Sequence, residues 1–215
     1  MNLEEVYPVE SLKEKFDEEV IIDYYGMGDI AEIAKLEPGC MFEIGANAWM
    51  HFVESGAKVN PKKLSRYFDK RDPLIYQRVE KVMKCKALQD ILLVHAHVDD
   101  SSLERDICGQ LLLARTYPNN LHISDVEFSN PYEPVSSSEQ NYQYHNYRSL
   151  GLFSELLENI LQLGKNNKIS KVTLSAASRD QVPYFEKHGF SMEDTEFASQ
   201  AYEADSGIPM ERKCT

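Results

Sequence analysis

The sequence is short of the features that mark special classes of protein. Its four cysteines, Cys40, Cys85, Cys108 and Cys214, lie far apart, with no Cys-x-x-Cys pair and no histidine at ligand spacing. That excludes a disulfide framework and a zinc site as the organising principle and fits free thiols in a reducing compartment, with no metal expected. No apolar run approaches the length needed to span a bilayer, so no membrane partner is expected. Met1-Asn2-Leu3-Glu4-Glu5 lacks the basic-then-apolar plan of a signal peptide, which makes the cytoplasm the default compartment. Positive charge is scarce as well: 23 Lys+Arg against 35 Asp+Glu leave a net charge of -12. Nucleic-acid binding draws on counterion release by Lys and Arg, so this balance argues against it. A cationic partner is electrostatically easier, although plain solubility accounts for the charge equally well.

What is present suffices for a packed core. The 215 residues are 42% hydrophobic and fit one domain over 1–215. Its first part, 1–90, holds a strand and an enlarged helical stretch, and its second, 91–215, is richer in strands. The first residues read as a charged lead-in. Glu19-Val20-Ile21-Ile22-Asp23-Tyr24-Tyr25 is β-branched and aromatic, closes on Gly26 and reads as a strand. From Asp29 to about Lys86 the pattern is helical, with a break near Pro73. The basic residues from Lys62 to Arg71 in this stretch read as a solvated face.

Three strands then follow with short polar links: Ile91–Val98, Ile107–Arg115 and Leu121–Phe128. They suggest an antiparallel meander. A polar stretch from Asn130 to Asn146 has no periodicity and reads as a long loop. Beyond it, Leu152, Phe153, Leu156, Leu157, Ile160 and Leu161 line one side of a helix, for which Gly164 is the expected C-cap. Ile169–Ser175 is a strand, Ser178–His188 a helix stopped at Gly189, and Phe190 opens a strand-like tail ending around Lys213.

Tyr147-Arg148-Ser149-Leu150-Gly151-Leu152-Phe153 is the segment most open to a functional reading. A polar loop becomes a helix there, Gly151 lets the backbone pass close to a ligand, and the helix points its unpaired N–H groups at the turn. Such a turn suits a pyrophosphate.

The turn and its surroundings resemble the GNAT (GCN-five-related) N-acyltransferase superfamily over nearly the whole chain. Arg148-Ser149-Leu150-Gly151-Leu152-Phe153 fits the first two defined positions of the family's Gln/Arg-x-x-Gly-x-Gly/Ala signature. Val182-Pro183-Tyr184-Phe185-Glu186-Lys187-His188-Gly189-Phe190 is similar to its late helix, Ala-x-Pro-Phe-Tyr-Glu-Lys-x-Gly-Phe. Ile107-Cys108-Gly109 looks like a family strand that begins with a hydrophobic pair and glycine. The resemblance implies an α+β fold with a central mixed, mostly antiparallel sheet flanked by helices. It also implies an acetyltransferase that moves an acetyl group from acetyl-CoA to an amine of a small molecule or protein, by direct transfer in a ternary complex.

On that resemblance, the backbone of Arg148, Ser149, Leu150, Gly151, Leu152 and Phe153 holds the acyl-CoA pyrophosphate. Val126 and Phe128 offer a strand edge to the pantetheine arm, and Ser178 and Phe185 flank the cofactor. Four departures stand out. Phe153 replaces the signature's last small residue, and Phe185 stands where many members carry a proton-donating Tyr. Ser178 stands where an Asn is frequent, and the 130–146 stretch splits the usual link into Pro131-Tyr132 and Tyr147-Arg148.

Acyl transfer to an amine needs a base. Glu127, at the end of its strand, is the first candidate, with an outward-facing polar residue as the plain alternative. His122, earlier on that strand, is the second, against an ordinary strand histidine. Asp125 shares alternation with Glu127 unless a bulge intervenes. Core packing is the expectation for Tyr184. Tyr142, Tyr144 and His145 either close over a substrate or lie in a surface loop. His95 and His97 share a strand face without a metal-site partner. A catalytically silent CoA-binding or protein-interaction module on the same fold stays open as the other reading, and a homodimer is also left open.

Overall fold

The computed structural model describes residues 1–17, 19–140 and 145–214. Its strands are β1 (Val20–Tyr25), β2 (Leu88–Val98), β3 (Ile107–Thr116), β4 (Asn120–Pro134), β5 (Tyr147–Ser149), β6 (Lys171–Ala176), β7 (Ser191–Met192) and β8 (Ile208–Lys213). Its helices are α1 (Val9–Lys13), α2 (Ile30–Leu36), α3 (Pro38–Glu54), α4 (Ser65–Asp69), α5 (Ile75–Met83), α6 (Phe153–Asn166), α7 (Val182–Lys187) and α8 (Glu196–Glu203). The strands form one mixed sheet in the order β1-β2-β3-β4-β6-β8-β7, with β5 added to the far end of β4. Every pairing is antiparallel except β4 with β6, which is parallel, as a helical crossover through α6 requires. This is the α+β architecture with a mostly antiparallel central sheet expected from the sequence.

The continuous apolar runs of β2 and β3 follow from burial on both faces. Leu92, Val94, Leu111 and Leu113 face one core with α6, while Leu93, Leu112 and Ala114 face a second with α3 and α5. The helical stretch 29–86 therefore shares a core with the sheet. Gly45 sets how closely α3 and α5 approach, because a Cβ there would lie 2.5 Å from Ile75 and 2.8 Å from the Tyr76 nitrogen. Gly109 has a similar cause: a Cβ would collide with the Tyr7 hydroxyl. Among the described residues, no helix is long and apolar enough to cross a membrane.

Four expectations are corrected. The charged lead-in is part of the core: Leu3, Val6, Tyr7 and Leu12 are buried, their apolar side chains spaced among acids that stay outside. Gly164 lies inside α6 rather than capping it, since a Cβ would come within 2.8 Å of Cys214 Sγ. The 130–146 stretch is partly strand, because β4 runs on to Pro134 and pairs with β5. The tail after Phe190 contains a helix, α8, capped by Thr195 Oγ1, which accepts from the Ala198 N–H at 3.0 Å. Thr195 followed by Glu196 is the signal that marks it. Tyr142 and Tyr144 lie outside the described residues.

Candidate functional site

The sheet opens between β4 and β6. Their parallel ladder holds only Leu121 with Val172, His122 with Thr173, and Ile123 with Leu174. The next residue, Ser124, is an extra one against β3: Leu113 opposes Ile123 while Leu112 opposes Asp125. A bulge bends the strand carrying it, and from this point β6 no longer pairs with β4, which meets β5 only from Ser129 onward. The gap leads into a cavity of about 1380 Å³ walled by β4, β6, α3, α7 and the start of α6. That is larger than the roughly 300–1,000 Å³ usual for a small-ligand site, so it has room for a long ligand and a second one.

At the α6 end, Gly151 turns the chain with φ of +73°, and a Cβ there would meet nothing within 4 Å. The glycine is needed for the backbone conformation, and the space over it is open. Leu152 precedes the helix without any side-chain cap. The first helical bond there runs from the Leu156 N–H to the Leu152 carbonyl, so the N–H groups of the first turn face outward, at the positive end of the dipole. Two groups near the turn are already engaged. Ser149 Oγ accepts from the Gly151 N–H at 3.2 Å, and the Phe128 carbonyl accepts from the Leu150 N–H at 3.0 Å. Of the proposed pantetheine edge, the Phe128 carbonyl is thus taken and the Val126 N–H is engaged by the Asp125 carboxylate.

Phe153 has a role in packing that the sequence alone did not reveal. Its buried ring meets Phe185 at 5.8 Å, Tyr184 at 5.7 Å and His188 at 5.0 Å, which fixes the start of α6 against α7. Tyr184 is not a core residue: it is 46% exposed and lines the cavity, because the Phe153 ring fills the space behind it. Phe185 is half-buried on the same wall. Arg148 turns outward instead, 71% exposed and ion-paired with Glu133 at 2.9 Å. Leu150, Gly151, Leu152, Ser178 and His122 are also outside the lining, which takes Ser149 and Phe153 from the 148–153 segment. His122 is fully buried beneath the ladder, with Nδ1 2.9 Å from Thr173 Oγ1 and Nε2 3.4 Å from Glu43 Oε1.

Two carboxylates on β4 line the cavity in opposite states. Glu127 is held by Arg105 through bonds of 2.8 and 2.6 Å and by Ser129 Oγ at 2.7 Å. Burial alone would raise this carboxyl, but the Arg105 and Ser129 hydrogen bonds outweigh it and hold it below the usual range. Both of its oxygens are committed, which makes it a poor proton acceptor. Asp125 makes no ion pair among the described residues, although the Arg105 charge reaches it. Burial, reinforced by the charge of Glu37, pushes its carboxyl up to about 6 against the hydrogen bond from Gln110. Because the bulge comes before Asp125, it keeps parity with Glu127. Nothing in the chain's alternation distinguishes the two; Arg105, on the loop from β2 to β3, does.

Glu37, Cys40 and Asp125 bring ligand-type atoms within 4.8 Å of one another, and the Cys40 thiol donates to Glu37 at 3.7 Å. Burial and the nearby Asp125 and Glu37 charges push that thiol up to about 12. His95 and His97 do have acidic neighbours, Glu37 at 3.7 Å and Asp23 at 4.0 Å.

No protein-family model matches this chain. No curated protein matches it either. Solved structures do. Nourseothricin acetyltransferase matches at 14% identity and a TM-score of 0.35, over 58% of this chain and 66% of that one. This chain therefore spans a little under two thirds of that enzyme's length. An acetyltransferase of the GNAT family from Staphylococcus aureus matches at 13% identity and a TM-score of 0.40, over 92% of this chain and all of that one (100%). An acetyltransferase from Bacillus subtilis in complex with CoA matches at 15% identity and a TM-score of 0.31, over 56% and 73% of the two chains.

Proposed function

We propose that this protein is a GNAT-type N-acetyltransferase that uses acetyl-CoA and transfers its acetyl group directly to an amine. The observation that carries the reading is the gap between β4 and β6, which ends at an uncapped helix start beside an open, positive-φ glycine. A pyrophosphate fits the outward N–H groups of the first turn of α6, just after Gly151, and an extended arm fits along the stretch of β4 that β6 does not pair, past Ile123. Acetyl-CoA bound this way supplies an acetyl thioester as the electrophile.

The protein's own residues have three tasks. Asp125 accepts the proton lost by the amine as its nitrogen bonds to the acetyl carbon and the carbon–sulfur bond breaks. Its carboxyl, near 6, is mostly ionised at neutral pH and still basic enough to take a proton. Glu127, paired with Arg105, fixes the local strand geometry rather than moving a proton. Tyr184, on the α7 wall next to Phe185, protonates the departing thiolate. Release of free CoA thiol from acetyl-CoA in the presence of an amine tests the reading, and loss of that release in Asp125→Asn tests the assignment of the base.

A further inference from the structure

Two residues that line the cavity carry buried oxygen atoms without a hydrogen-bond partner. Glu43 and Asn47 sit four residues apart on α3, hence on one face of it, and both line the cavity. Asn47 is only 4% exposed, and its Oδ1 has no hydrogen-bond partner. Glu43 Oε1 is likewise buried without one; the His122 Nε2 at 3.4 Å does not meet it in hydrogen-bonding geometry. Glu43 Oε2 accepts from Ser124 Oγ at 3.3 Å, which ties this pair to the bulge beside Asp125. Both unsatisfied atoms are acceptors, so a ligand that meets them must bring hydrogen-bond donors. With a carboxylate among them, an ammonium is the favoured donor on arrival; it sheds one proton to solvent before its nitrogen attacks, and Asp125 takes the second as the amide forms.

Apolar residues line the cavity as well. Ala46, Met50, Phe68 and Phe197 wall it, and Phe197 is 45% exposed. Among the described residues lining the cavity, Lys187 is the one lysine or arginine, and it lies on α7, away from α3. A carboxylate or phosphate on the acceptor would find no cation on the α3 and β4 walls, and would face Glu43 and Asp125.

We propose that the acceptor is a primary amine carried on an apolar, ring-sized body that bears no carboxylate or phosphate. Glu43 and Asn47 read its N–H donors, and Ala46, Met50 and Phe68 receive its body. This rests on the acetyltransferase reading and narrows it, since net charge alone admits polyamines and basic peptides equally.

The test measures CoA thiol release by the full chain at saturating acetyl-CoA with phenethylamine, phenylalanine and spermidine. Phenethylamine is expected to exceed both others in kcat/KM by on the order of tenfold or more. Asn47→Leu and, separately, Glu43→Gln are expected to raise the phenethylamine KM by on the order of tenfold. In both variants the acetyl-CoA Kd and the melting temperature with acetyl-CoA present serve as checks on the fold. Equal or better use of phenylalanine or spermidine overturns the acceptor class, as does an unchanged KM in both variants. Thiol release with none of the amines contradicts the acetyltransferase reading itself.

Discussion

Arg105 holds both oxygens of Glu127 at 2.8 and 2.6 Å, whereas Asp125, two residues earlier on the same strand, has an amide, Gln110, as its hydrogen-bond donor. One carboxylate is thereby fixed as an ion pair, and the other is left with a raised affinity for protons. Burial and the Glu37 charge raise Asp125, while the Arg105 and Ser129 hydrogen bonds overcome burial at Glu127, so two acids on one strand face differ in their hold on a proton.

The rate should therefore depend on Asp125. Its folded-state carboxyl is near 6, so the base is protonated and idle below that pH and active above it. The pH profile of kcat/KM is expected to rise through about 6, and Asp125→Asn is expected to lose that limb together with about 10²–10⁴-fold in rate. Calorimetry should find the acetyl-CoA affinity of the variant unchanged. A limb that survives in Asp125→Asn moves the base elsewhere.

Gly151→Ala separates strain from binding. A Cβ there meets nothing within 4 Å, so the folded protein bears only the cost of a left-handed alanine, about 1–2 kcal/mol. Denaturant unfolding should report that loss. Acetyl-CoA affinity should fall as well, because the added methyl occupies the open face of the turn. An unchanged affinity would place the pyrophosphate somewhere other than this turn.

Gly45→Ala should destabilise although alanine is the better helix former. The added Cβ lies 2.5 Å from Ile75 and 2.8 Å from the Tyr76 nitrogen, and the latter is backbone that cannot rotate away. Overpacking of this kind costs about 1–3 kcal/mol, against a propensity gain of about 1. The urea midpoint is expected to fall.

A buried cluster at the C-terminal end of α3 contributes to the acid stability. Glu193 accepts from His51 at 3.1 Å and from Lys171 at 3.3 Å. Burial alone would raise its carboxyl, but His51 and then Lys171 outweigh burial and bring it below 4.5. A lowered folded-state value gives stability that is complete above about 4.5 and is lost as pH falls through the depressed value. Glu193→Gln should lower the urea midpoint at pH 7 and flatten its decline in acid. A parallel decline in both proteins would contradict this.

The sequence carried the features that are local and lost those that depend on register. Gly151 and Gly189 are legible because only glycine adopts their positive φ cheaply, and the runs of β2 and β3 are legible because burial on both faces leaves no polar position. Leu3 and Val6 looked like part of a charged lead-in, since two apolar residues among acids make no period until Tyr7 meets Phe128 at 5.6 Å. The bulge at Ser124 leaves no mark in its own residue type. The choice between Glu127 and Asp125 hinges on Arg105, some twenty positions earlier in the chain, and only strand pairing brings it near. Nothing in the sequence singles out Asn47 and Glu43; the packing of α3 against β4 brings them to the cavity.

Titration calorimetry of the full chain with acetyl-CoA tests the central claim most directly. The gap, the uncapped start of α6 and the open Gly151 turn predict saturable binding at a single site, weakened in Gly151→Ala. An absence of saturable heat from the folded protein would contradict it.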